Sequence, residues 1–196
     1  MFRCPVHVRD AVPEDVTALL DLWTGFPARA DREAGPGPEV EGAHALARIA
    51  ADPDQRVLVA VIDEVVIGAV HLYRAALSPL HSEQAVHVTH LHVLDQFRRH
   101  GVGRALVEAA VTWAEEKDST HLLAAASFNS RDANRFMARL GLSQLAVVRG
   151  AAVAALRAKL PVEPPAGAGV TLRNSRNVGQ VLAQRRSLRR AQSKAG

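Results

Sequence analysis

The run Ala85–Arg104, AVHVTHLHVLDQFRRHGVGR, constrains the fold of this 196-residue chain more than any other segment. It passes from an apolar-alternating stretch through a glycine-punctuated basic turn into a helical pattern. Val86, Val88, Leu91 and Val93 predict a strand, because β-branched and bulky apolar residues suit a pleated, half-buried surface. Gly101 and Gly103 predict a tight turn where backbone comes close to a ligand, and beyond them Val102, Leu106, Val107, Ala110, Trp113 and Ala114 recur at helical spacing. The first N–H groups of such a helix lack intrahelical partners and lie at the positive end of its dipole. With Arg98, Arg99 and Arg104 beside them they predict a site for phosphate oxygens, so the expected ligand is a phosphorylated cofactor.

Two other phosphate-binding patterns fit less well. A Walker loop needs a longer glycine spacing followed by Lys-Ser/Thr, and a dinucleotide fingerprint needs a third glycine with an acidic residue about twenty positions on. The segment instead resembles the acyl-CoA-binding motif of the GNAT N-acetyltransferases, Gln/Arg-x-x-Gly-x-Gly/Ala, here Arg98-Arg99-His100-Gly101-Val102-Gly103. A second segment agrees. Asn129–Leu142, NSRDANRFMARLGL, follows an apolar strand at Leu122–Ala126 and is similar to the family's later motif, a helix that opens near an Asn and closes on Phe-Tyr-x-x-x-Gly-Phe. Its residues also predict a helix directly: Ser130 suits the N-cap, Asp132 the first turn, Gly141 the C′ position, and Ala133, Phe136, Met137 and Leu140 share a face. Upstream, a short strand at Val6–Arg9, a Pro13-initiated helix with Val16, Leu19, Leu20 and Trp23 on one face, and strands around Val57–Val61 and Val65–Leu72 complete the order.

The resemblance spans Val6 to Leu156 and implies a mixed α/β GNAT fold: a mostly antiparallel central sheet, splayed at the acyl-CoA cleft and flanked by helices. It implies that acetyl-CoA is held by Leu91, His92 and Val93 at the strand end, by Arg98, Arg99, His100, Gly101, Val102, Gly103 and Arg104 in the loop, and by Asn129.

With 48% apolar residues the chain can bury one core, and the expected organisation is an acetyltransferase domain over residues 1–160, a Pro/Gly linker over 161–169 and a basic tail over 170–196. The tail rests on charge. From Pro161 onward seven basic residues face one acidic residue, a net of +6 in a chain of net +4, which leaves Met1–Leu160 at −2. Val178, Val181 and Leu182 are spaced for one helical face, with Arg185, Arg186, Arg189 and Arg190 as a basic end. Either a solvated tail or a grip on RNA, DNA, an anionic membrane surface or an acidic protein follows. The tail holds no aromatic residue, so base stacking is not expected. No segment approaches the roughly twenty apolar residues of a membrane span, and the first residues, MFRCPVHVRD, lack a signal peptide's apolar stretch. A cytoplasmic protein is expected. The single cysteine, Cys4, permits no internal disulfide and reads as a passive thiol.

Acetyl transfer to an amine needs a base for the amine, stabilisation of the oxyanion and a proton for the departing thiolate. In GNAT enzymes a Glu or His near the central strand often serves as base, and the Tyr of the later motif as acid. Here Met137 stands at that Tyr position, and methionine has no proton to give. The central strand holds no Glu but three histidines, and imidazole suits base catalysis near neutral pH. Simple alternation puts His87 on one face and His90 with His92 on the other, unless a bulge intervenes, as it commonly does in this strand of the family. His87 and His90 both stand as candidate bases, and no metal is expected. His71 and His81 flank the preceding loop, Asp63-Glu64 reads as an exposed turn, and Glu39, Glu41 and His44 fall where the family shapes its acceptor pocket. Two functions remain: an acetyl-CoA-dependent N-acetyltransferase acting on a primary amine of a small molecule or protein, or a catalytically weak GNAT-like module that attaches to RNA, a ribosome or another acidic partner through its tail.

Overall fold

The computed structural model of the chain describes residues 5–23, 37–80, 82–127 and 130–160. Cys4, His81, Asn129 and everything from Pro161 onward, including the expected linker and basic tail, lie outside them. The chain divides into two compact units, one ending at Val147 and one beginning at Val148.

The first unit is built on five strands, β1 His7–Asp10, β2 Gln55–Ile62, β3 Val65–Ala76, β4 Gln84–Val93 and β5 His121–Ala124. They lie side by side in chain order, antiparallel except for the last pair, β4 and β5, which run parallel. A parallel pair needs a long crossover, and α3, Val102–Glu116, supplies it. Helices α1, Val16–Leu22, and α2, Pro38–Ala51, cover the other face, and α4 follows β5 over Arg131–Arg139.

Why the sheet is buried on both faces is written along β2. Val57, Val59 and Val61 pack with Val16, Leu19, Leu22 and Leu46 of α1 and α2, whereas Leu58 and Ala60 turn to Leu106, Ala110 and Trp113 of α3. Period-two alternation with both faces covered leaves no polar position, hence the continuous run VLVAVI. The turn from β2 to β3 is the two residues Asp63 and Glu64, both at positive φ, 47° and 64°, whose twist matches the flanking strands.

The helices start and stop for identifiable reasons. A single 3-10 turn, Pro13–Asp15, precedes α1, and the Asp15 carboxylate pins it by accepting from Arg9 at 2.6 and 3.0 Å and from the Val12 N–H at 2.8 Å. The segment expected to shape the acceptor pocket is helical, with Pro38 in its first turn and Glu39 and Glu41 at its positive end. Helix α3 opens on Gly101, whose φ of 88° is costly for any residue with a Cβ, and buries Val102, Leu106, Val107, Ala110, Trp113 and Ala114. Ser130 caps α4 by accepting from the Ala133 N–H at 3.3 Å. The helix ends with Gly141 at φ 86°, its N–H bonded to Ala138 O and that of Leu142 to Met137 O, a Schellman closure.

In the second unit, the described part carries α5, Val153–Lys159, with Val153 and Leu156 exposed.

Candidate functional site

One irregularity in β4 builds the site. Ala69 of β3 pairs with His92, but His71 pairs with Thr89, so His90 and Leu91 together oppose Val70 alone. This is a β-bulge, and His90 takes a positive φ of 54° to form it. The bulge resets the alternation. Val86 and Val88 face α3 before it, and Leu91 and Val93 face α3 after it, although an even count separates Val88 from neither. His90 thereby leaves the core and joins the opposite face, the one that carries His87 and Thr89. The Trp23 indole N–H donates to His90 O at 2.8 Å, and the Trp23 ring meets the His90 ring edge-on at 5.7 Å between centroids.

At the same level β4 and β5 part. Their register runs from Ala85–His121 to Val88–Ala124, and the last bond is Ala125 N–H to Val88 O at 2.9 Å. Among the described residues, β4 continues beyond it to Val93 with no partner strand on its β5 side. The gap opens a cleft of about 610 Å³, lined by His90 to Val93 on one wall, Ala125 to Ser127 on the other, and the residues of the glycine loop and α4 beyond. An extended chain bearing amides fits between two diverging strands, because the exposed strand edge offers backbone donors and acceptors.

The loop is held by its own side chains. Arg98 Nη2 pairs with Asp95 at 2.7 Å and its Nε donates to Val93 O at 3.2 Å, so this arginine clasps the loop to the strand end as well as lining the cleft. His100 Nδ1 donates to Arg98 O at 2.8 Å. Arg99, Arg104, Arg135 and Arg139 also line the cleft and make no ion pair among the described residues. The loop, the start of α3 and these guanidinium groups together form a donor set suited to several phosphates.

The face of the sheet next to the bulge carries a row of rings. His90 lies 6.2 Å from His71, His71 lies 5.9 Å from Tyr73, and Tyr73 stacks on His87 at 4.5 Å. Asp52 fixes the orientation of this row from a distance. Its carboxylate accepts from Gln55 Nε2 at 2.7 Å, which leaves Gln55 Oε1 to accept from His71 Nε2 at 3.3 Å. Neutral His71 therefore carries its proton on Nε2, and Nδ1 faces the Thr89 hydroxyl at 3.2 Å. Burial pushes His87 and His90 below the ordinary imidazole range, burial and then the neighbouring His90 do the same to His71, and burial followed by Arg98 lowers His92. These rings are neutral near pH 7, the form that accepts a proton.

Of the residues expected to bind cofactor, Leu91, His92, Val93, Arg98, Arg99, Gly101, Gly103 and Arg104 line the cleft. Val102 instead packs into the core at 1% exposure, and His100 stays on the outside of the loop. Of the two histidines considered as base, His90 lines the cleft, whereas His87 is held beneath Tyr73 with its Nε2 buried and unpartnered. Glu39, Glu41 and His44 stand on α2, outside the cleft lining. Sequence reasoning missed the site roles of Trp23, Ser127, Arg135 and Arg139. The Arg135 and Arg139 pair had a signal, a spacing of four on a helix already expected; Trp23 had none, since 67 residues separate it from His90.

The acetyltransferase (GNAT) family profile matches residues 18–142 of the chain. No curated protein sequence matches it. Among solved structures, a transcriptional regulator from Bacillus halodurans C-125 superposes with TM-score 0.63 at 20% identity, covering 74% of this chain and 99% of that one. Glucosamine-6-phosphate N-acetyltransferase from Arabidopsis thaliana gives TM-score 0.63 at 13% identity over 76% of this chain and 99% of its own. An aminoglycoside N-acetyltransferase in complex with CoA gives 0.61 at 18% over 78% and 98%. With a strand splayed at a bulge, a glycine loop opening α3 and a profile match across most of the first unit, this chain belongs to the acetyltransferase (GNAT) family.

Proposed function

We propose that the protein is an N-acetyltransferase that takes acetyl from acetyl-CoA and places it on a primary amine. The observation that carries this reading is the conjunction at one cleft of the β4–β5 splay, the glycine loop with its arginines, and a neutral imidazole at the bulge. The residues present fit the cofactor: the loop and arginines match its phosphates, and the unpaired edge of β4 matches its amide-bearing arm. Bound there, acetyl-CoA would supply a thioester carbonyl open to attack by an amine.

The chain's own residues then have separable tasks. His90, neutral and on the cleft wall, accepts the proton that the attacking amine must lose. Trp23 holds the His90 carbonyl and so fixes the bulge that presents the ring. Met137 lies buried in the cleft wall and offers no proton, so the leaving sulfur must take one from water or depart without it.

Turnover of acetyl-CoA against a panel of amines, followed by release of the free thiol, tests the reading. Amine-dependent release that His90→Ala lowers is the expected result. Tight CoA binding without any amine-dependent release would instead favour the second reading, a binding module, to which Met137 in place of a proton donor already points. In that case residues 170–196 would supply a polyanion contact whose affinity for RNA falls steeply with salt, and Ser at positions 185, 186, 189 and 190 would remove that dependence.

A further inference from the structure

We infer that Arg135 and Arg139 form a dedicated subsite for the 3′-phosphate of CoA, so that the cleft selects CoA over its 3′-dephospho form. The inference rests on the acetyl-CoA reading above. Five arginines line the cleft, Arg98, Arg99, Arg104, Arg135 and Arg139, against one carboxylate, that of Asp132. With the cleft histidines neutral, the net charge of the lining is about +4, far beyond what the two charges of a diphosphate require. Arg98 is already committed to Asp95 and Val93 O, which leaves Arg99 and Arg104 beside the loop that would receive the diphosphate.

Arg135 and Arg139 come from a different wall. They stand one helical turn apart on α4, both exposed, both on the cleft and both without a carboxylate partner among the described residues. Helix α4 is close to the loop: the Phe136 ring lies 3.4 Å from where a Cβ on Gly103 would stand. Two unneutralised guanidinium groups on that helix, one residue before and three residues after the contact, repel each other unless an anion lies between them. A phosphomonoester carries about −1.5 to −2 at neutral pH and offers three acceptor oxygens, enough for both forks. The 3′-phosphate is the monoester of CoA, attached to the same ribose as the diphosphate and so within reach of the neighbouring wall.

Calorimetric titration of the full chain with CoA and with 3′-dephospho-CoA is the test, applied also to an Arg135→Gln/Arg139→Gln variant. Both side chains are exposed, so the variant should fold, which circular dichroism verifies. Losing a charge-assisted hydrogen bond is worth about tenfold to a hundredfold in affinity. CoA should therefore bind the parent protein at least about tenfold more tightly than the dephospho form, and the variant should bind both alike, at the parent's affinity for the dephospho form. Equal affinity of the parent for the two ligands, or equal losses for both in the variant, would overturn the subsite while leaving the cofactor reading intact. Failure of the parent to bind either would overturn both.

Discussion

Replacing Gly68 with alanine should loosen the cofactor loop from behind. Gly68 lies buried on β3 opposite Val93, at the point where β3, the end of β4 and the start of α3 meet. A Cβ built there stands 3.0 Å from the His92 carbonyl oxygen, 3.2 Å from Val102 Cγ1 and 3.3 Å from Val93 Cγ2. The first contact is to backbone and cannot be relieved by turning a side chain; the other two belong to buried or half-buried valines. Overpacking of this kind costs about 1–3 kcal/mol, partly offset by about 0.4–1 kcal/mol because alanine has less freedom to lose on folding. A net loss of about 1–2 kcal/mol lowers Tm by roughly 2–8 °C in a chain of this size. Since Val102 is the first residue of α3, the strain falls on the turn at Gly101, and CoA affinity should drop with Tm. Thermal unfolding and calorimetry measure the two, with Gly150→Ala as control, where no atom lies within 4 Å of the added methyl. An unchanged Tm in Gly68→Ala would refute the claim that β3, β4 and α3 are packed too closely there for one methyl group.

At Gly101 the cost is conformational rather than steric: a new side chain meets nothing within 4 Å, but φ of 88° is costly for a branched residue, so Gly101→Val should weaken CoA binding with a stability loss of about 1–2 kcal/mol, and Gly101→Asn should be milder. Comparable affinities for all three proteins would rule this out. If His90 is the base, kcat should rise with pH along a limb centred below 6.5, because burial lowers its pKa and only the neutral ring accepts a proton. His90→Ala should cost about a hundredfold or more and erase that limb, whereas His87→Ala should retain it; a limb that persists in His90→Ala assigns the base elsewhere.

How much of this was legible beforehand depends on the range of the interaction concerned. Helices α3 and α4 can be read from sequence because their determinants are local: a glycine at each critical φ, a serine cap, apolar residues every third or fourth position. Helix α2 is less legible, since Gly35-Pro36-Gly37-Pro38 reads as a break, and only the Pro38 and acidic first turn mark its start. The bulge is the hardest case. It falls on His90, with no glycine to announce a positive φ, and is held by a tryptophan 67 residues away and by packing on both sheet faces. Alternation alone therefore places His90 on the wrong face, and the family resemblance, not the periodicity, corrects it. The α4 arginines were visible as charges, but the cleft they line exists only once β4 and β5 diverge.

The sheet's strand order, identical to the order of the chain, has a consequence for how the molecule assembles. β2 and β3 are joined by two residues and β3 and β4 by seven, so these two antiparallel pairings close only short loops. The two outer pairs are different: 44 residues lie between Asp10 and Gln55, and 27 lie between Val93 and His121, where α3 must first dock across the sheet. Loop-closure entropy and contact order both place these outer pairings after the two hairpins. The cleft thus forms after the hairpins that support it. Pulse-labelled hydrogen exchange should find amides of β2 and β3 protected before those of β5, and a refolding mixture should gain sheet content before it gains the ability to bind CoA. Simultaneous protection of all five strands would show that the sheet closes in one step despite its order.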